Sequence, residues 1–181
     1  FLHGRTVDPF LFDGAAVTPP SQVVRILNQR FCAQHPEVSS YFTLVYGVID
    51  RHSGQGRLCQ AGHPTPFIVS DSGAVREIGE GGPPVGLLEH LDWDEYAFYL
   101  APGERLCLYS DGISECENAE QQMFGAARLE SLVASHQLQP LNTLLAAVEA
   151  ALNQWRGAAS GETAAAPDDI SLLVIERKQG L

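Results

Sequence analysis

A chain of 181 residues, 45% of them hydrophobic, is long enough for one domain with a full core and too apolar to be disordered. A net charge of -11 and a pI near 4.8 argue against binding a nucleic-acid backbone or an anionic membrane surface. No apolar run approaches the length of a membrane span, and no secretory signal pattern is present.

Cys32, Cys59, Cys107 and Cys116 are scattered, with no Cys-x-x-Cys pair. The first three sit in apolar segments and read as core thiols rather than zinc ligands or disulfides, which fits a reducing cytoplasm. The chain opens at Phe1 and its only methionine is Met123, so it reads as a fragment or a processed product.

Pro9, Pro19 and Pro20 punctuate the first twenty residues, and Asp8 and Asp13-Gly14 look like turn residues. Asp13-Gly14 imitates a metal motif, but no strong strand precedes it. Ser21 follows Pro-Pro and is expected to cap a helix to about Ala33, with Val24, Leu27 and Phe31 as its buried stripe. Tyr41 to Asp50 is apolar on both faces and predicts a central strand covered on both sides.

Ser53-Gly54-Gln55-Gly56 predicts a hairpin into Arg57–Gln60. The turn Ala61-Gly62-His63-Pro64-Thr65-Pro66 follows. His63 there is a ligand or base, or else a turn residue bonded to nearby backbone. Phe67–Ser70 and Val75–Ile78 form a second hairpin. Gly79 to Gly86 is too constrained for a helix or central strand, and no Gly-Lys-Ser/Thr follows to make it a phosphate-cradling loop. It reads as a shape-carrying loop. Tyr109, Phe124 and this loop are either interface or packing.

Glu95–Leu100 alternates, and Ala101-Pro102-Gly103-Glu104 turns the chain into Leu106–Ser110, a buried strand. That strand stops at Asp111-Gly112, which aims a carboxylate from the end of a rigid element. Helices are expected over Phe124–His136, with Leu129, Leu132 and Val133 inward, and over Leu141–Trp155. The stripe of the latter is Leu141, Leu144, Leu145, Val148, Leu152 and Trp155. Gly157–Pro167 is a small, polar loop, and Ile170–Ile175 is an apolar last strand. Asp168-Asp169 stands at its mouth. Adjacent carboxylates repel unless a positive group lies beside them, so a solvated turn and a divalent cation are the two accounts. With Asp111 at another strand end, hard oxygen ligands for Mg²⁺ or Mn²⁺ become available from two elements. The order helix, strands, two helices, strand predicts sheets with helices on their outer faces.

Four stretches stand in register: Ala61-Gly62-His63-Pro64-Thr65-Pro66, Gly82-Pro83-Pro84-Val85-Gly86-Leu87, Pro102 through Glu115, and Asp168-Asp169-Ile170-Ser171. Together they resemble the bacterial SpoIIE/RsbU branch of the PPM metal-dependent serine/threonine phosphatases, over about Ser21 to Glu176. The resemblance implies an α-β-β-α sandwich of two antiparallel sheets, in a single domain over 1–181 that is the C-terminal domain of a longer chain. It implies a binuclear Mn²⁺ or Mg²⁺ centre, with Asp111 and Asp168 as catalytic metal ligands and Asp169 beside them, and with His63 architectural. It also implies a phosphorylated anti-sigma-factor antagonist as substrate, an N-terminal sensor or receiver domain, and a homodimer as one arrangement.

One departure stands out. The family pattern begins upstream with strands and a Gly-Asp-Val-Ser-Gly-His-Gly type motif whose aspartate bridges the metals, and nothing before Ser21 matches it. The expectation is therefore a domain lacking its first strands, with a catalytically silent interaction module or another metal-dependent hydrolase as the rival readings.

Overall fold

The computed structural model describes residues 12–13, 16–35, 40–157 and 169–178. Phe12–Asp13 (β1) and Ala16–Val17 (β2) make a short antiparallel pair; Gly14 lies outside the described residues. Helix α1, Pro20–Gln34, packs on a three-stranded antiparallel sheet of Leu44–Ile49 (β3), Gln55–Ala61 (β4) and Glu95–Tyr99 (β7), in the order β3-β4-β7. A four-stranded antiparallel sheet has the order β6-β5-β8-β9. Its strands are Phe67–Val69 (β5), Val75–Glu77 (β6), Arg105–Tyr109 (β8) and Leu172–Glu176 (β9). The turn Asp111–Ser114 (α2) leads from β8 to helices Ala126–Ser135 (α3) and Leu141–Trp155 (α4).

Strand alternation sorts the apolar side chains into three layers. Phe67, Val69, Cys107 and Tyr109 point outwards from the second sheet onto Leu129 and Val133 of α3 and Leu144, Val148 and Leu152 of α4. Their strand neighbours Ile68 and Leu106 point the other way and meet Leu58, Ile78 and Leu100 between the sheets. On the far side Val24 of α1 packs on Cys59, Ala61, Val85 and Trp93. The α-β-β-α sandwich expected from the sequence is the observed fold.

Several local expectations change. Helix α1 starts two residues earlier, with Pro20 at its first position and Pro19 as N-cap. Proline suits that position, because it lacks an N–H that would go unpaired there anyway. Ser21 does not cap. Its N–H and hydroxyl both donate to Glu95 Oε1, at 3.2 and 2.6 Å, and so bind the helix to β7. Leu27 is exposed, and Asn28 is fully buried on that face instead. In α4, Leu145 also faces outwards.

The largest change concerns β3. Its two faces are apolar as read, but it is an edge strand: it pairs with β4, and no described strand pairs with its other side. The thiols of Cys59 and Cys107 lie in the core as expected. Burial pushes them up to about 11 and about 12, which leaves them inert. Tyr109 and Phe124 are also core residues, in the layer under α3 and α4. Their role is packing.

Candidate active site

Strand β8 delivers Asp111 to the surface. Arg105, Leu106, Cys107 and Tyr109 are buried, and Gly112 and Ile113 are buried immediately afterwards, so the chain is anchored on both sides of the acid. Asp111 itself is exposed in the first turn of α2, and its Oδ1 accepts the Gly112 N–H at 3.0 Å. The Glu115 N–H donates to the Asp111 carbonyl at 2.8 Å and closes the turn. Among the described residues Asp111 makes no ion pair with a basic side chain.

The second acidic segment is brought to the same end of the sheet. β8 and β9 are antiparallel, with Tyr109 opposite Leu172 as the last regular pair. One step further, the Ser110 N–H donates to the Ser171 carbonyl at 3.0 Å. The Ser110 hydroxyl donates to the Asp169 carbonyl at 2.8 Å. Asp169 is exposed beside this junction, while Asp168 and the loop before it lie outside the described residues.

His63 arrives from the other sheet's side, on the turn after β4. It is half-buried near the end of β8, where the Tyr109 backbone and the Asp111 carboxylate both favour its charged form. Thr43 Oγ1 lies 3.4 Å from its Nδ1. Burial lowers the imidazole below its usual value, and the nearby Asp111 carboxylate partly offsets this. The Gln60 amide donates to the His63 carbonyl and so ties the turn to β4, close to the Asp111 segment.

Two buried amides that sequence reasoning missed hold this turn and the glycine-rich loop. Gln60 donates to the His63 carbonyl and to Thr65 Oγ1, and its Oε1 accepts the Gly81 N–H at 3.0 Å. Gly62 has φ +69 and donates its N–H to the Gly82 carbonyl at 2.8 Å. Asn28 donates to the Leu88 and Glu89 carbonyls, both at 2.9 Å, and accepts the Gly86 N–H at 2.8 Å. A chain of contacts therefore runs from α1 through the Gly79–Gly86 loop to the His63 turn and on to the end of β8. The available signal was a polar residue in an apolar stripe, since Asn28 sits four residues after Val24.

Exposed carboxylates on two adjacent strand ends, with no paired cation at Asp111, fit part of a site for a hard divalent ion. Among the described residues no group of three metal-capable side chains is assembled.

The fold and the acids on its two strand ends define a domain of the PP2C-like, PPM phosphatase class. The chain belongs to the Stage II sporulation protein E (SpoIIE) family, whose sequence profile it matches over residues 10–178. It is 26% identical over 160 residues to the phosphoserine phosphatase RsbU of Bacillus subtilis, which covers 88% of this chain and 45% of RsbU. Its fold is similar to the SiaA PP2C domain of Pseudomonas aeruginosa, with a TM-score of 0.77 and 20% identity, covering 92% of this chain and 64% of that one. The RsbU and RsbW domains of Rv1364c from Mycobacterium tuberculosis match with a TM-score of 0.68 and 26% identity, over 86% of this chain and 42% of that one. The chain spans 18%, 45% and 20% of the lengths of the three curated relatives it matches.

Proposed function

We propose that this chain is part of a divalent-metal-dependent serine/threonine phosphoprotein phosphatase that works in bacterial signal transduction in the cytoplasm. The observation that carries the reading is the convergence of two acid-bearing strand ends: Asp111 after β8 and Asp169 before β9, on neighbouring strands of one sheet. Asp111 and Asp168 would hold Mn²⁺ or Mg²⁺, with Asp169 beside them. Bound there, a metal pair supplies a water of lowered pKa and a clamp on the phosphoryl oxygens. Asp111 keeps its carboxylate exposed for this purpose, while the Gly112 N–H occupies one lone pair and fixes its orientation. His63 stands on the turn near that segment, its imidazole lowered below its usual value by burial.

By the family resemblance the substrate is a phosphorylated anti-sigma-factor antagonist, and the controller an N-terminal regulatory domain. The uncovered inner face of the sandwich supports a domain whose further strands come from upstream. Val45 and Ile49 of β3, and Leu173 and Ile175 of β9, all face the space between the sheets. Yet Ile49 and Ile175 are each 37% exposed and Leu173 is 50% exposed. No helix of the described residues is long and apolar enough to cross a membrane.

The test is phosphatase activity on phosphoserine proteins by the natural full-length protein and by this span, each with Mn²⁺ and with EDTA, alongside Asp111→Ala. Turnover that needs Mn²⁺ and drops at least about 100-fold in Asp111→Ala is the expected result, since even residues behind the ligands contribute 10–100-fold. A folded full-length protein inactive on several phosphoproteins would instead favour the silent interaction module.

A further inference from the structure

At Ser110 the chain passes from strand to helix, and one hydroxyl makes that change possible. In a hydrogen-bonded antiparallel pair the two residues exchange both backbone bonds. Ser110 gives its N–H to the Ser171 carbonyl, but the return bond from the Ser171 N–H ends on Ser110 Oγ, at 2.9 Å. The Ser110 carbonyl is engaged elsewhere. As N-cap of α2 it accepts the Ile113 N–H at 3.1 Å, which starts the turn that carries Asp111. The hydroxyl proton then goes to the Asp169 carbonyl at 2.8 Å. A single Oγ thus accepts from one residue of the β9 approach and donates to another two positions earlier, so its capacity for directed bonds is well used.

We propose that Ser110 is a positioning residue for the metal site: its hydroxyl fixes the Asp169 peptide, and with it the acidic approach to β9, against Asp111. The assignment rests on the metal-dependent phosphatase reading above. Without the hydroxyl, the Ser171 N–H and the Asp169 carbonyl both lose their bond to Ser110 Oγ, and the junction lies at the surface, open to water. The fold and the bond from the Ser110 N–H to the Ser171 carbonyl survive that exchange, but the side-chain tie that orients the Asp169 peptide towards Asp111 is gone. Threonine retains the Oγ and its two bonds; alanine removes both.

The experiment is calorimetric titration of Mn²⁺ into the natural full-length protein as wild type, Ser110→Ala, Ser110→Thr and Asp111→Asn, with amide hydrogen exchange followed at Ser171. Ser110→Ala is expected to weaken Mn²⁺ binding about 10–100-fold. It is also expected to speed exchange at Ser171, and to recover kcat at saturating Mn²⁺. Ser110→Thr is expected to restore affinity and protection together. Mn²⁺ binding that Asp111→Asn abolishes but Ser110→Ala leaves unchanged overturns the Ser110 assignment alone. A wild type that binds no Mn²⁺ overturns the metal reading and this assignment with it. Should Ser110→Ala fail to fold, the wild-type Ser171 amide still decides, since rapid exchange there would show that the clamp does not exist.

Discussion

The two sheets are held by unequal means. The four-stranded sheet carries α3 and α4 on its outer face, and their stripes seat fully buried Leu129, Val133 and Leu144 against Phe67, Val69 and Cys107. Among the described residues the three-stranded sheet carries only α1, over fewer fully buried side chains: Val24, Cys59, Ala61, Val85 and Trp93, flanked by partly buried Phe31, Phe42, Leu44, Tyr46 and Leu91. Polar anchors supplement that packing, with Asn28 and Gln60 buried to hold loops and Ser21 bonded to Glu95, while on the other sheet buried Arg105 ties β8 to Glu176 and to the end of α3. Asp111 and Asp169 rise from the densely packed sheet, whereas the His63 turn, near Asp111, follows β4 of the other sheet. Rigid delivery of the acids and a more lightly held neighbouring turn are therefore separate properties of the two halves, and substitutions distinguish them.

The largest contrast is expected from paired leucine truncations. Leu144→Ala empties a fully buried site between α4 and the second sheet and is expected to cost about 2–5 kcal/mol, whereas Leu173→Ala on the uncovered face of β9 is expected to stay within about 0.5 kcal/mol. Urea unfolding of this span measures both. In the full-length protein, a Leu173→Ala cost that rises towards the buried value would mean that further chain covers that face.

On the other half, Asn28→Ala removes the acceptor of the Gly86 N–H and the donor to two carbonyls inside a buried contact. A loss of about 1–3 kcal/mol follows from leaving such groups unpaired. A matching increase in proteolysis between Gly79 and Glu89 would locate the loosening in the loop rather than in α1.

Gly62→Ala acts at a residue with φ +69, where a Cβ would stand 2.8 Å from Pro84 Cβ. Strain of about 1–3 kcal/mol is expected, together with displacement of the His63 turn. The histidine ring resonances in NMR would report that displacement even if stability fell little.

The smallest effect is electrostatic. Arg76 on β6 grips Glu104 with two bonds of 2.7 Å, and the Ala101 N–H adds a third at 2.8 Å, so the Glu104 carboxyl is held below its ordinary value of 4.5. A carboxyl depressed on folding contributes stability that is present above about pH 4.5 and lost as pH falls through the lower folded value. Glu104→Gln should remove about 1 kcal/mol of that acid-dependent stability, a modest figure because Arg76 is partly exposed. Stability curves of the two proteins that fail to converge on acidification would count against it.

Much of the domain was legible because local chemistry and tertiary packing agree there. Leu144, Val148 and Leu152 recur at helical spacing and are buried together, and Leu106 to Tyr109 is continuously apolar because both faces of β8 are covered. Leu27 and Leu145 misled for a shared reason. An apolar side chain one position off a helical stripe is indistinguishable by period, and only the partner surface decides which of the two residues turns inward. The Asp111 end of the site was readable because an acid directly after a core strand must emerge at the sheet's edge. Ser110 was not, since a serine between Tyr109 and Asp111 carries no signal until β9 lies alongside it.

Sequence by itself thus determined the layer order, the strands and helices, and the two acidic ends, since these follow from periodicity, turn residues and the reach of neighbouring backbone. Tertiary structure alone decided which strands pair beyond the two predicted hairpins, that β3 has no second partner among the described strands, and that Asn28, Gln60 and Ser110 are joints. Hydrogen bonds between residues 58 to 74 positions apart exist only after the sheets have closed. Their partners cannot be read from either segment on its own.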